Sequence, residues 1–260
     1  MTGAAFAAEW LALREPSDHR SRARPLARRF LEACADGAPL VDLGAGTGSN
    51  ARYLQEMSPA PLSWRLIDAD AGLVSHAGPI GAGVETVVMD LALISPKALD
   101  GAGGVSASAL LDLVSEAWLR TVAELCAQAR VPALFALNVD GMVRFDPEDR
   151  DDEAVLEWFA RDQARDKGFG PALGPAATEC ANRVFSGLGF TVACARSDWV
   201  LSAGDGRLLP TYLRGVAAAA KNAGDDRVDA WLRRRLEAAK TGRLAVTVGH
   251  KDVLAVPVQP

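Results

Sequence analysis

Seven residues constrain this chain more than any others: Asp42-Leu43-Gly44-Ala45-Gly46-Thr47-Gly48. They follow the apolar run that starts at Leu40 and precede a helix-forming stretch from Asn50 to Met57. Three glycines at alternate positions leave no side chains in the loop, so the backbone can turn sharply and approach a ligand closely. The helix that follows aims its N-terminal amides at the same spot. A strand, a tight loop and a helix in this order are one unit of a parallel α/β sheet. The neighbouring segments repeat the unit. Trp64 to Ile67 reads as a strand ending at Asp68 and Asp70, and Val84 to Met89 as another ending at Asp90. A fourth strand is expected at 104–108, a helix from about Ser115, and a fifth strand from Ala133 to Val139. Alternating strands and helices predict a mostly parallel sheet wound on both faces, with right-handed crossovers.

The flanking regions are expected to be helical. Residues 4–13 read as a helix broken at Glu15-Pro16-Ser17, with a second helix from Ser17 to Cys34 capped by Ser17 and Asp18. After the acidic turn Pro147 to Asp152, helices are expected at 153–166, 176–187, 208–222 and 226–240. Phe190 to Val200 reads as a strand, and the apolar run 244–256 around Gly249 as the last one. The 260 residues suffice for one large domain. Within it, 1–36 is read as an N-terminal helical lid, 37–145 as a ligand-binding core, 146–188 as a helical insertion or cap, and 189–260 as the part that completes the sheet.

A net charge of −5 makes nucleic acid an unfavoured partner. The cysteines, Cys34, Cys126, Cys180 and Cys194, form no CxxC pair and sit in apolar stretches, which predicts buried thiols in a reducing compartment. No run reaches the roughly 18 apolar residues of a membrane helix, and the Arg-rich stretch from Arg20 to Arg29 lacks a signal pattern. A cytoplasmic protein that acts on a small molecule is expected, with no membrane partner and an open oligomeric state.

The acids narrow the ligand. Asp68 lies 20 residues after Gly48 at a strand end, where in an open α/β sheet a carboxylate can accept from both hydroxyls of a ribose. A dinucleotide site would use GxGxxG; here the spacing is GxGxG, and Asp42 stands inside the strand, where it opposes a pyrophosphate and favours a cation. S-adenosylmethionine carries both a sulfonium and an ammonium. The motifs VDLGAGTG, LIDAD, MDLA and SASALLDLV, in that order over roughly residues 38–140, resemble those of the class I S-adenosylmethionine-dependent methyltransferases. The resemblance implies a Rossmann-like, doubly wound, mostly parallel seven-stranded sheet with a helical cap or insertion. It implies S-adenosylmethionine as cofactor, its methionine portion held by Asp42 and the loop Gly44, Ala45, Gly46 and Gly48, with Asn50 beside them. Asp68, with Ala69, would take the ribose, Asp90 and Leu91 the adenine, and Ser108 and Ala109 would lie under the transferred methyl. Two features depart from the family. Gly103-Gly104-Val105 stands where many members carry an acid, and Asp112 falls where a histidine is frequent.

Methyl transfer from a sulfonium is an in-line displacement, and positioning supplies much of its acceleration; some acceptors also need a base. Asp112 and His19 are the catalytic candidates. Arg14 and Arg22 could bind a substrate carboxylate in a segment that also holds Trp10 and Asp18. Trp118, Lys167 and Phe169 are further candidates for substrate contact, the last two in the loop DKGFGPALGP. The plain alternatives are a solvated helix face for the arginines, core for Trp118, and a helix connection for the loop. His250, with Asp252, reads as a satisfied core histidine of the last strand. No spacing suggests a metal site. The leading expectation is a methyltransferase acting on O or N of a small molecule. A non-catalytic binder of S-adenosylmethionine or S-adenosylhomocysteine (SAH), serving as a regulatory or assembly partner, is the alternative. A nicotinamide oxidoreductase is disfavoured by GxGxG and Asp42.

Overall fold

The computed structural model describes residues 8–163, 170–221 and 227–258. In chain order the elements are α1 (Ala8–Ser21), α2 (Arg24–Ala33), β1 (Leu40–Leu43), α3 (Ser49–Met57), β2 (Ser63–Asp68), α4 (Ala71–Ser75), β3 (Gly83–Val88), β4 (Gly104–Ser108), α5 (Glu116–Ala129) and β5 (Ala133–Asp146). The second half adds α6 (Asp152–Gln163), α7 (Ala177–Gly187), β6 (Phe190–Arg196), β7 (Trp199–Leu201), α8 (Leu208–Ala220), α9 (Arg227–Lys240) and β8 (Ala245–Pro257).

The sheet runs β3-β2-β1-β4-β5-β8-β6, with the short β7 paired to β8 as an eighth strand. The pairs from β3 to β5 are parallel, and β8 is antiparallel to β5, β6 and β7. This is the doubly wound, Rossmann-like arrangement expected. One seven-stranded path carries it, because a last strand arriving antiparallel can slot between β5 and β6.

Alternation along the strands sorts side chains onto two faces. Val41, Leu43, Val105, Ala107 and Phe135 pack with α5 and α7 on one face. Leu40, Trp64, Leu66, Leu134 and Leu254 pack with α2 and α3 on the other. Gly104 explains one departure from the family pattern. A Cβ there would lie 2.6 Å from Cys34 Sγ and 3.0 Å from the Phe30 ring, so α2 seats on β4 only where side chains are missing.

Strand order reverses between β1 and β4. Open α/β sheets hold ligands at such a switch point, outside the carboxyl ends of the strands, and here the glycine loop follows β1 while Ser108 ends β4. A third core lies beyond this edge. β5 continues past the parallel sheet to Asp146 and pairs with Ala245–His250 of β8, with register shifts between Phe135 and Asn138 and between Val139 and Val143. Phe145, Trp199, Val246 and Trp231 join α8 and α9 in a cap built on this extension.

Three expectations are corrected. First, α1 runs through Pro16 to Ser21, and the break falls at Arg22-Ala23. Pro25 stands in the first turn of α2, where a missing N–H is harmless. Asp18 caps nothing; it is buried and accepts from the Trp199 indole at 2.9 Å. Second, the strand expected over Phe190 to Val200 is two, because the chain turns at Ser197-Asp198, where Ser197 N–H reaches the His250 carbonyl at 2.9 Å. Third, Cys194 is exposed rather than buried, being on the outer strand β6.

Candidate functional site

Gly44, Gly46 and Gly48 all have positive φ, at 66°, 53° and 79°. Their environment is also tight. A Cβ on Gly44 would meet Leu110 at 3.3 Å, one on Gly46 would meet Leu11 of α1 at 3.1 Å, and one on Gly48 would meet Ala77 at 3.0 Å. α1 therefore crosses directly over the loop. Its Glu15 accepts two bonds from Arg52, Nε at 2.8 Å and Nη2 at 2.5 Å, while Arg52 Nη1 reaches the Thr47 carbonyl at 2.6 Å. One guanidinium thus braces the loop and fastens the helix above it. Burial pushes the Glu15 carboxyl up, but the Arg52 bonds and charge outweigh it, and the net direction is down.

Asp42 lies under the loop, 1% exposed. Its Oδ1 accepts from Asn50 Nδ2 at 2.6 Å and from Ser106 Oγ at 2.9 Å. Its Oδ2 is equally buried and has no hydrogen-bond partner among the described residues. Burial pushes the carboxyl up to about 6, with Asn50, Ser106 and Arg22 pulling against it. A buried carboxylate oxygen without a donor is costly. It also suits a cationic group.

Asp68 ends β2 half-buried. Oδ2 accepts the Gly46 N–H at 2.7 Å and Oδ1 the Asp70 N–H at 2.9 Å. Each oxygen keeps a lone pair for a further donor. Ala69 beside it is exposed. Asp90 is exposed and caps the turn after β3, accepting the Ala92 N–H at 2.9 Å, and Leu91 is buried against the Gly44 position. Ser108 is half-buried at the end of β4; Ala109 after it has φ 52° and donates its N–H to the Ala136 carbonyl at 2.9 Å. The structure thus gathers Asp42, Gly44, Ala45, Gly46, Gly48, Asn50, Asp68, Asp90, Leu91 and Ser108 along one edge of the sheet, at the carboxyl ends of β1 to β4.

The other candidates disperse. His19 packs on Tyr53, ring centroids 5.3 Å apart, with Nε2 3.1 Å from both the carbonyl and hydroxyl oxygens of Ser49. It sits at the start of α3, next to the loop. Arg14 pairs with Asp18 at 2.8 Å and lies over the Trp199 ring. Trp118 is buried in the core and donates to the Leu91 carbonyl at 2.6 Å. Asp112 lies in the loop after β4, whose carbonyls at Asp112 and Val114 accept from Gly174 and Leu173. Lys167 and Phe169 lie outside the described residues.

His250 is buried against Trp199, centroids 5.5 Å apart, and burial, with Arg14 nearby, pushes its pKa down. Its Nδ1 lies 2.9 Å from the Val248 carbonyl. That oxygen can only accept, so Nδ1 carries the proton. Arg22, Arg52, Ser106 and Asp252 are site neighbours whose partners were not predicted. Apart from the Thr47 carbonyl that Arg52 reaches, the partners named here lie in distant segments, and no local spacing announces them.

Among the described residues no group of three His, Cys, Asp or Glu side chains is arranged to hold a metal ion. Among the same residues no helix is long and apolar enough to cross a membrane.

No protein-family model matches the sequence, and no curated protein is significantly similar to it. Solved structures do resemble the chain. A mycolic acid cyclopropane synthase complexed with SAH is 12% identical, with 88% of this chain and 82% of that one covered and a TM-score of 0.48. Magnesium protoporphyrin IX methyltransferase from Synechocystis PCC 6803, with bound SAH, is 14% identical over 70% of this chain and 77% of that one, at a TM-score of 0.46. Human N-acetylserotonin methyltransferase in complex with SAM is 12% identical over 97% of this chain and 54% of that one, at 0.48. At these identities and scores the ligands and substrates belong to those proteins alone.

Proposed function

We propose that the chain is a class I methyltransferase that binds S-adenosylmethionine at the glycine loop and methylates O or N of a small molecule. The observation that carries this reading is the Asp42 carboxylate, buried beneath three positive-φ glycines with Oδ2 lacking a donor. A nucleotide phosphate would be repelled there; an ammonium beside a sulfonium supplies the missing donor and the opposite charge.

The residues present fit such a cofactor. Asp42, beneath a loop that carries no side chain at Gly44, Gly46 and Gly48, suits its amino-acid end. Asp68, fixed by Gly46 and Asp70, retains acceptor capacity for the ribose hydroxyls, and Asp90 with Leu91 offers a carboxylate and an apolar wall to the base. When bound, the cofactor supplies an activated methyl group. The chain's part is to orient an acceptor in line with it and to exclude water. Leu11, Leu91 and Leu110 provide the apolar cover over the loop. Asp112, in the loop after β4, and His19, at the start of α3, are the candidate bases.

Calorimetric titration with S-adenosylmethionine and SAH tests the reading, with Asp68→Ala alongside. Micromolar binding that the substitution weakens tenfold or more, about 1.4 kcal/mol, is expected. Absence of binding by either ligand would overturn it. Binding without transfer of labelled methyl to any component of a metabolite extract would favour a non-catalytic binder.

A further inference from the structure

We infer that Arg22, in the joint between α1 and α2, is a positioning residue for the glycine-loop site, acting through Asn50 on Asp42 and through Asp252 on the end of β5. The inference rests on the reading of that loop as the cofactor site.

Arg22 is 5% exposed, and its guanidinium lies 4.5 Å over the Tyr53 ring. Nη1 donates to Asn50 Oδ1 at 2.7 Å. A guanidinium only donates, so this bond fixes the amide: the oxygen of Asn50 must face Arg22. Both hydrogens of its Nδ2 are then turned toward Asp42 Oδ1 and Ser106 Oγ, at 2.6 and 3.0 Å. Asp42 is left with one oxygen doubly bonded and the other free. Reversing the amide would put oxygen against carboxylate and break three bonds at once.

Arg22 also neutralises Asp252, with Nε 3.4 Å from Oδ2 and both side chains buried. Asp252 accepts the Ala23 N–H at 2.9 Å and the Leu137 N–H at 2.8 Å. Leu137 has φ 54°, at the irregularity where β5 leaves the parallel sheet beside Ser108 and Ala109. A left-handed leucine is unfavourable, and the Asp252 bond helps to hold it. One buried arginine therefore links the acid under the loop to the strand end on the acceptor side. An ordinary structural ion pair would need only Asp252.

The charged groups facing Asp42 are Arg22, from the α1–α2 joint, and Asp68, from the end of β2. Asn50 of α3 and Ser106 of β4 are neutral, Asp252 of β8 lies behind Arg22, and His19 of α1 is turned to Ser49. Loss of Arg22 removes the cation and frees the Asn50 amide, both of which favour protonated Asp42.

The test is a 13C-carboxyl NMR titration of Asp42, assigned with Asp42→Asn, in the wild type, Arg22→Met and Arg22→Lys. SAH calorimetry at pH 6, 7 and 8 accompanies it. The Asp42 midpoint should rise by ~0.5–1 unit in Arg22→Met and by less in Arg22→Lys. If the ionised form binds, a rise of one unit weakens SAH about fivefold at pH 6 and only about twofold at pH 7. General loosening would weaken it equally at both. An unchanged midpoint in a folded variant overturns the inference. If Arg22→Met does not fold, Arg22→Lys decides, because its shorter side chain keeps the charge and gives up the Asn50 bond. A moved midpoint with no SAH binding by the wild type would sink the methyltransferase reading and leave the coupling intact.

Discussion

Substituting Asp42 with Asn should stabilise the protein at pH 8 and not at pH 4. The carboxyl is fully buried and its pKa rises from 3.8 to about 6. A raised acid is one that the folded state prefers protonated. Between those values the native state holds more protons than the unfolded one, so stability falls as pH rises through the window. The gap of about two units corresponds to about 3 kcal/mol at 1.36 kcal/mol each. Asparagine is close to isosteric, keeps an acceptor for Asn50 and Ser106, and carries no charge. Its amide N–H replaces the unpartnered Oδ2 and costs about 1–3 kcal/mol if it finds no partner. That cost is the same at every pH. The difference in unfolding free energy between variant and wild type should therefore change by about 2.5 kcal/mol from pH 4 to pH 8, in favour of the variant, because the unfolded carboxyl is already half ionised at pH 4. Urea denaturation of both proteins at unit pH steps reads it directly, and other titrating groups cancel in the difference. A constant difference across the range would show that Asp42 is not strained by its burial, and the argument for a free carboxylate awaiting a cation would fail. The same variant should bind SAH at least tenfold more weakly, a trade of function for stability.

Other consequences are measurable. Glu15→Gln should release α1 from Arg52 and raise hydrogen exchange in residues 8–21 at pH 7. In the wild type the same release should come only as pH falls below 4.5, because the Glu15 carboxyl is held down in the folded state and its contribution is lost as pH falls through that lowered value. Gly104→Ala places a methyl 2.6 Å from Cys34 Sγ and should cost about 1–3 kcal/mol in urea midpoint analysis, with Cys34→Ala as partial rescue. Gly46→Ala should cost about 1–2 kcal/mol for its left-handed backbone and should reduce SAH affinity; unchanged binding would mean that Leu11 and the loop leave more room than their contact suggests.

What could be read from the sequence is what local chemistry dictates. Alternating glycines, acids at strand ends and apolar runs of strand length are written in consecutive residues, and they made the succession of strands β1 to β5 along the chain and the candidate loop after β1 legible. Relations across the chain were not readable. Arg22 and Asp252 are 230 positions apart, and no pattern joins them. The continuation of β5 past Val139 depends on pairing with β8, so residues 140–146 carry no strong strand signal of their own. Trp118 was legible as a large apolar side chain near the right strand, but the helical face of α5 turns it inward to Leu91. Arg14 looked available to a ligand because Asp18, one helical turn on, and the Trp199 ring are visible as partners only once α1 is continuous through Pro16.

The long strand β5 has a mechanical consequence. It and β8 belong to both the central sheet and the cap, so the cap shares the sheet's twist and moves only if backbone ladder bonds part. α1 is attached differently: side-chain contacts such as Glu15–Arg52, Arg14–Asp18–Trp199 and Arg20–Asp205 hold it on the body, and its chain continues through a two-residue joint. Release of α1 therefore parts side-chain contacts, whereas the β5–β8 extension under the cap is held by backbone bonds.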